Sequence, residues 1–350
     1  MMLSRKNLFR IYLPQTPTQS PTRVAHCART MSTRQCGEGG GPPTVALSPS
    51  LCVSRVINGL WQIADMEADG GSGVDLPAAG RDLGEYMSAG LTTFDMADHY
   101  GSAEEILGAF TASGPSPQCL TKWVPSSDTV VSAADTEAVR ECVEAAVDTS
   151  CTRLQSAELD LLQYHTWDYS NPLWLAHLRA LALLQTTKTK TKEGHGVAHL
   201  GLCNFDTDHL RIASETDGID IVSNQVSFSL LDTRAAGRMA EYCESRGIQL
   251  LCFGTLAGGF LTGRWLGKPV PSTTGKEGGE GEDGGDGGEG DEEDGVLTMS
   301  QRKYMRYIDV WGGWDLFQEL LSTLDAIAKV GTSGTSGRDE KREVKREEKR

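Results

Sequence analysis

The sequence predicts an α/β protein built on a parallel (β/α)8 barrel of the TIM type. The barrel is read as incomplete, with seven recognisable strands and the eighth missing, and with a disordered acidic insertion. Three observations predict this. From Val53 onward, short apolar runs alternate with amphipathic stretches, the pattern of strands joined by crossover helices. The polar residues of those runs gather at one end: Asp95, Lys122, His165, Asn204 and Gln225 each fall at or just past the C-terminal end of a different run. In a closed parallel barrel such ends converge on one face. Finally, the first run is followed by Asn58-Gly59-Leu60-Trp61, which offers no G-x-G-x-x-G turn for a doubly wound nucleotide-binding sheet.

Taken in order, strands are expected near Val56–Leu60, Thr93–Met96, Cys119–Lys122, Leu159–His165, Ala198–Cys203, Ile221–Gln225 and Gln249–Phe253. Helices are expected near Ala78–Ser88, Ala103–Thr111, Asp135–Arg153, Leu173–Leu184, Thr207–Glu215 and Ala235–Arg246. The third of these puts Val139, Val143, Ala146 and Val147 on one face. A further helical, aromatic stretch runs from Tyr304 to Lys329 and contains Trp311-Gly312-Gly313-Trp314.

Outside residues 46–330, assigned to the barrel, the composition changes. Residues 1–45 read as an extension: up to residue 37 they hold five Arg and one Lys and no acid, the composition of an organellar transit peptide rather than a secretory signal. Chloroplast is placed ahead of mitochondrion, and a plain disordered extension on a cytoplasmic protein is the alternative. Residues 272–296 are Gly-, Glu- and Asp-rich low complexity, too polar to pack. Residues 331–350 form a charged tail without an apolar face.

The net charge of -15 is concentrated. Lys276 to Asp294 hold ten acids and one Lys, or -9, leaving -6 for the rest. Without clustered Lys and Arg, nucleic acid is excluded as a partner. No apolar run is long enough to span a bilayer. The nine cysteines form no C-x-x-C pair and read as reduced core thiols. His195 and His199 are four apart, but Gly194 and Gly196 argue against a helix and no third ligand completes a set, so no metal is expected. Lys188, Lys190 and Lys192 read as a solvated loop.

The stretch Phe94-Asp95-Met96-Ala97-Asp98-His99-Tyr100-Gly101-Ser102-Ala103-Glu104-Glu105 carries D-x-A-x-x-Y-G-x-x-E, which resembles the signature of the aldo-keto reductases. The likeness extends to Trp61, His165-Thr166-Trp167-Asp168, Gly201-Leu202-Cys203-Asn204-Phe205, Ser223-Asn224-Gln225 and Phe253-Gly254-Thr255-Leu256-Ala257-Gly258-Gly259, covering about residues 53–330. Cys203 stands where many members have Ser, and Phe253 where a Tyr commonly stacks on the nicotinamide. The family's eighth strand and its adenosine-phosphate clamp are missing.

The resemblance implies reversible NAD(P)H-dependent reduction of aldehydes or ketones, with NADPH as the default cofactor and NAD as the alternative. Tyr100 would be the proton donor, Lys122 and Asp95 would tune it, and His165 would orient the carbonyl. That assignment is chemically coherent. A phenol of pKa about 10 is a poor acid-base catalyst at neutral pH unless its anion is stabilised, as a buried ammonium does. Asn204 and Gln225 would bind the nicotinamide carboxamide, Phe253 would stack on the ring, and Gly254, Thr255, Leu256 and Gly258 would approach the pyrophosphate. Apart from the resemblance, Trp61, Trp123 and Trp167 lie beside the barrel mouth and read equally as walls of a substrate pocket or as ordinary core. The expected partner is a small carbonyl compound, and the expected state a monomer or weak oligomer. The competing reading is a catalytically impaired barrel that binds cofactor as a sensor or regulatory module, or a truncated product.

Overall fold

The computed structural model describes residues 41–61, 76–126, 131–185, 190–271 and 297–347. The transit-like start, the acidic stretch 272–296 and Lys188 lie outside the described residues. Seven parallel strands form a curled sheet: β3 (Asn58–Gly59), β4 (Thr93–Asp95), β5 (Gln118–Trp123), β7 (Leu161–His165), β9 (Leu200–Cys203), β10 (Ile221–Ser227) and β11 (Gln249–Phe253), paired in that order. Among the described residues β3 and β11 do not pair, so the sheet is an open, incomplete (β/α)8 barrel. The expected first strand shrinks to two residues, held where the Asn58 side-chain amide donates to the carbonyls of Leu91 and Thr93.

A hairpin of β1 (Thr44–Ala46) and β2 (Cys52–Ser54), which begins just inside the stretch read as extension, had no counterpart in the sequence reading. Leu47, Leu51 and Val53 of this hairpin pack on Leu120, Leu161, Val222 and Leu251, the inward residues at the N-terminal side of the sheet. That end is filled, leaving the opposite end for chemistry. A second short pairing, β6 (Glu158–Leu159) with β8 (Gly196–Val197), extends the approach to β7 and β9.

Outside the sheet lie α1 (Leu76–Ser88), α2 (Ala103–Ala112), α3 (Thr136–Leu154), α4 (Leu173–Gln185), α5 (Thr207–Glu215) and α6 (Arg238–Arg246). Their starts are legible in the chain: Asp135 accepts from the Ala138 amide, and Asp206 from the Asp208 and His209 amides, each satisfying N–H groups a helix leaves orphaned. Val139, Val143, Val147, Cys151 and Leu154 are the buried stripe of α3, and the last four join the main core with Leu159, Leu162 and Leu178.

After β11 the chain builds a separate small cluster from Ala257, Phe260, Leu297, Met305, Ile308, Trp314, Phe317 and Leu321. It contains α7 (Met299–Trp311), closed at its start by a Thr298–Gln301 capping box, and α8 (Gly313–Glu347). The turn between them uses Gly312 and Gly313 at φ 153° and 83°. The helix expected to stop near Lys329 continues to Glu347: extending an existing helix is easier than starting one, which offsets the poor propensity of Gly331 to Gly337, and the Glu, Lys and Arg beyond are good helix formers. No helix among the described residues is long and apolar enough to cross a membrane. Cys119, Cys142, Cys151, Cys203, Cys243 and Cys252 are free thiols, whereas Cys52 is disulfide-bonded, against the expectation of nine reduced cysteines.

Candidate active site

Strand alternation brings three chemistry-bearing side chains inward at the C-terminal side of the sheet, and a turn adds a fourth. Asp95 ends β4, Lys122 lies one residue from the end of β5, and His165 ends β7. Tyr100 follows on the turn before α2. Lys122 is 2% exposed, and its ammonium donates to Asp95 Oδ2 at 2.5 Å and to the Met96 carbonyl at 2.9 Å. The same ammonium lies 5.2 Å from the centre of the Tyr100 ring. Burial opposes the lysine's charge, but Asp95 and then Tyr100 outweigh it and hold the pKa above the ordinary lysine value. For Tyr100 the balance runs the other way. Burial raises the phenol's pKa more than the charge and hydrogen bond of Lys122 lower it, so the hydroxyl keeps its proton at neutral pH. His165 is pushed down to about 4 by burial, then by His99 and Lys122, and is therefore a neutral imidazole at pH 7. Its Nε2 is 3.4 Å from the Asn204 side-chain amide.

Two further groups hold this arrangement. Asp95 Oδ1 accepts from Gln163 Nε2 at 2.7 Å and Gln225 Nε2 at 3.0 Å, so both carboxylate oxygens are satisfied inside the sheet. The turn carrying Tyr100 is tied down separately. Arg153 donates to the Asp98 carbonyl at 2.9 Å and to Glu104 at 3.2 Å, while Glu104, 1% exposed, also accepts from Thr121 at 2.6 Å. From the sequence, Glu104 stands only as an acid in the first turn of α2. In fact it locks α2, α3 and β5 together beneath the tyrosine turn.

On the other side of the site, Asn204 adopts a left-handed φ of 59°, and its backbone N–H donates to the Gln225 carbonyl at 2.8 Å. Phe253 is half-buried at the end of β11, and the following loop exposes Thr255 and Leu256. Among the described residues the amides of Thr255 and Leu256 find no acceptor, so the loop presents free N–H groups. Gly254 and Gly258 have φ of 70° and 63°, and the Tyr304 ring lies so close that neither position has room for a Cβ.

The family model described as "Aldo/keto reductase family" matches residues 55–335. The chain belongs to that family. Among curated proteins it is 28% identical to a 6-dehydroglucose reductase of Agrobacterium fabrum over 232 residues, 62% of this chain and 72% of the relative. It is 32% identical to flagellar radial spoke protein 5 of Chlamydomonas reinhardtii over 122 residues, 32% of this chain and only 23% of that protein. Among solved structures it resembles a glycerol dehydrogenase of Gluconobacter oxydans at TM-score 0.51 and 24% identity, over 67% of this chain and 69% of that one.

Within this aldo-keto reductase, the three tryptophans that read equally as pocket wall or core separate. The Trp61 ring meets the Tyr100 ring edge-on at 4.8 Å, and Trp167, 61% exposed, lies 4.2 Å from the His165 ring. Trp123 does not join them. It follows Lys122 on the same strand, so with Lys122 inward Trp123 faces the helices, where it packs on Tyr164 and His177 and is 6% exposed. His195 and His199 also have other work: His195 pairs with Asp148 at 2.8 Å, and His199 Nε2 bonds Ser48 and Ser50 at 2.8 and 2.9 Å. Lys190 and Lys192 pair with Glu158 and Glu141 at the surface. Gln163, Arg153 and Lys303 were not singled out from the sequence. Gln163 had a signal, standing two residues before His165 on one strand and so on the same face.

Proposed function

We propose that this chain reduces aldehydes or ketones to alcohols, reversibly, with a nicotinamide dinucleotide as hydride donor and Tyr100 as proton donor. The observation that carries the reading is the Asp95–Lys122–Tyr100 constellation beside a neutral His165. A buried cation next to a phenol is what stabilises the phenolate once the proton has gone to the carbonyl oxygen. Asp95 keeps that cation charged, and Gln163 and Gln225 keep Asp95 oriented. His165, unprotonated at working pH, donates a hydrogen bond that orients the carbonyl oxygen without competing as an acid.

The residues present fit a nicotinamide dinucleotide. Phe253 offers a ring face, and the Thr255 and Leu256 amides have no acceptor among the described residues. Gln225, whose Nε2 is committed to Asp95 and Gln163, keeps its amide oxygen for a carboxamide N–H. Asn204, Gly254 and Gly258 complete that side. The cofactor supplies the hydride; NADPH is the form to test first and NAD the alternative. The reductase name of the Agrobacterium relative supports the reaction class.

A second reading, a barrel that binds cofactor without turnover, is favoured by one observation: among the described residues β3 and β11 have no partner on their outer sides. Quenching of intrinsic fluorescence on adding NADPH, followed by a broad aldehyde panel, separates the two. Binding with turnover supports the reductase, binding alone supports the second reading, and no binding refutes both.

A further inference from the structure

Lys303, in the second turn of α7, is half-buried. Its ammonium lies 5.2 Å from the centre of the Phe253 ring and 5.4 Å from that of Tyr304. Both rings border the proposed cofactor side: Phe253 ends β11, and Tyr304 packs on Gly254 and Gly258. The charge of Lys303 also acts on the Cys203 thiol, the same thiol that feels Lys122 and Asp95, so the ammonium lies within electrostatic reach of the site.

What surrounds this cation is unlike what surrounds Lys122. Lys122 is answered by a carboxylate at 2.5 Å. Lys303 has neither an ion-pair nor a hydrogen-bond partner among the described residues, and its charged neighbour is Arg306, of like sign. Burial accordingly holds its pKa below the ordinary lysine value. Ring faces attract an ammonium, but they do not replace the hydrogen bonds it loses on leaving water. A half-buried cation without a partner therefore gains most from an anion that comes within its reach.

Resting on the reductase reading above, we propose that Lys303 is an anion-binding residue of the site, meeting an oxyanion of the bound reactants. Two sources present that chemistry: a diphosphate oxygen of the dinucleotide, and the carboxylate of an acidic carbonyl substrate. The position of Lys303, between the ring at the end of β11 and the loop after it, is within the region each would enter.

The test uses the full chain and its Lys303→Gln, Lys303→Met and Lys303→Arg variants, with thermal melts to show that each is folded. NADPH affinity is measured by fluorescence titration at low and high salt, and KM is compared for succinic semialdehyde and butanal, which differ in a carboxylate. A charge-assisted hydrogen bond corresponds to roughly ten- to hundredfold in affinity. If the diphosphate is the ligand, the neutral variants bind NADPH weaker by that factor, with a shallower salt dependence, and Lys303→Arg recovers most of it. If the carboxylate is the ligand, NADPH affinity holds while KM for succinic semialdehyde alone rises by that factor. Neutral variants that match the wild-type chain in both arms overturn the proposal while leaving the reductase intact. A wild-type chain that neither binds NADPH nor reduces an aldehyde overturns both.

Discussion

Replacing Asp95 with Asn keeps the shape of the side chain and removes its charge, and the contacts around it set the cost. Every neighbour of the carboxylate is a donor: Lys122 on Oδ2, and Gln163 and Gln225 on Oδ1. An amide has one acceptor and one donor end, so either orientation sets an NH2 against a donor. A buried donor left without an acceptor costs about 1–3 kcal/mol. The ionic part is larger. Removing one partner of a buried pair costs about 3–5 kcal/mol, and Lys122 is 2% exposed. That part has a ceiling, because the lysine can instead give up its proton, which at pH 7 costs about 4.6 kcal/mol for an ordinary pKa near 10.4. The expected loss is therefore about 4–8 kcal/mol in urea unfolding at pH 7. Adding Lys122→Met removes the stranded charge, so the double variant should be at least about 1 kcal/mol more stable than Asp95→Asn alone, although both are inactive. The pH dependence has a definite sign. The folded-state pKa of Lys122 is raised, so the pair's stabilisation is complete below about 10.5 and is lost as pH rises through the folded value. A loss under about 1 kcal/mol for Asp95→Asn, or a double variant less stable than the single, would show that Lys122 does not depend on this carboxylate.

Three further outcomes are expected. Trp123→Ala should cost about 3–5 kcal/mol of stability and leave the KM of any good aldehyde unchanged, because the ring lies in the core; a KM shift without a stability loss would return Trp123 to the pocket. Arg153→Met leaves Glu104 buried with Thr121 as its remaining partner and frees the Asp98 carbonyl, so about 2 kcal/mol should be lost and kcat should fall with NADPH affinity kept. His165 and His177 are both held down to about 4 by burial, so their imidazole NMR resonances should still report neutral rings at pH 5.5. Because the unfolded chain takes up these protons first, stability should fall as pH drops from about 6.5 toward 4. Titration of either ring near 6.5 in the folded protein would contradict this.

Much of the barrel was legible because its signals are local. The apolar stripe of α3 and the short apolar runs of β5 and β7 each act within one element, and the expected bounds of those elements lie close to the observed ones. The β1–β2 hairpin was missed because its three-residue strands are too short to show a period, and its value lies in packing on residues far along the chain. The tetrad could be read from residue types at strand ends, but its electrostatic balance could not. The direction of the Tyr100 shift depends on how deeply the phenol is buried, which no pattern encodes. Trp123 illustrates the converse case: its place beside the barrel mouth left pocket and core equally open, and what decides for the core is that a strand turns adjacent side chains to opposite faces, so with Lys122 inward Trp123 faces out. Lys303 carried no signal because a lysine on a helix is ordinarily solvated, and only tertiary packing against Phe253 marks it out.

The proposed chemistry stands most directly on Tyr100, and Tyr100→Phe tests it by removing the hydroxyl while keeping the ring that packs on Trp61. The measurement is a single turnover: NADPH fluorescence followed after mixing excess wild-type or variant chain with an aldehyde the wild-type chain accepts. Both chains should bind NADPH with similar affinity. The wild-type signal should decay as hydride leaves the cofactor, and the variant's decay should be slower by about 10²-fold or more. Equal decay in the two would remove Tyr100 from the mechanism, and NADPH bound by the wild-type chain without decay across a broad aldehyde panel would contradict the reductase itself.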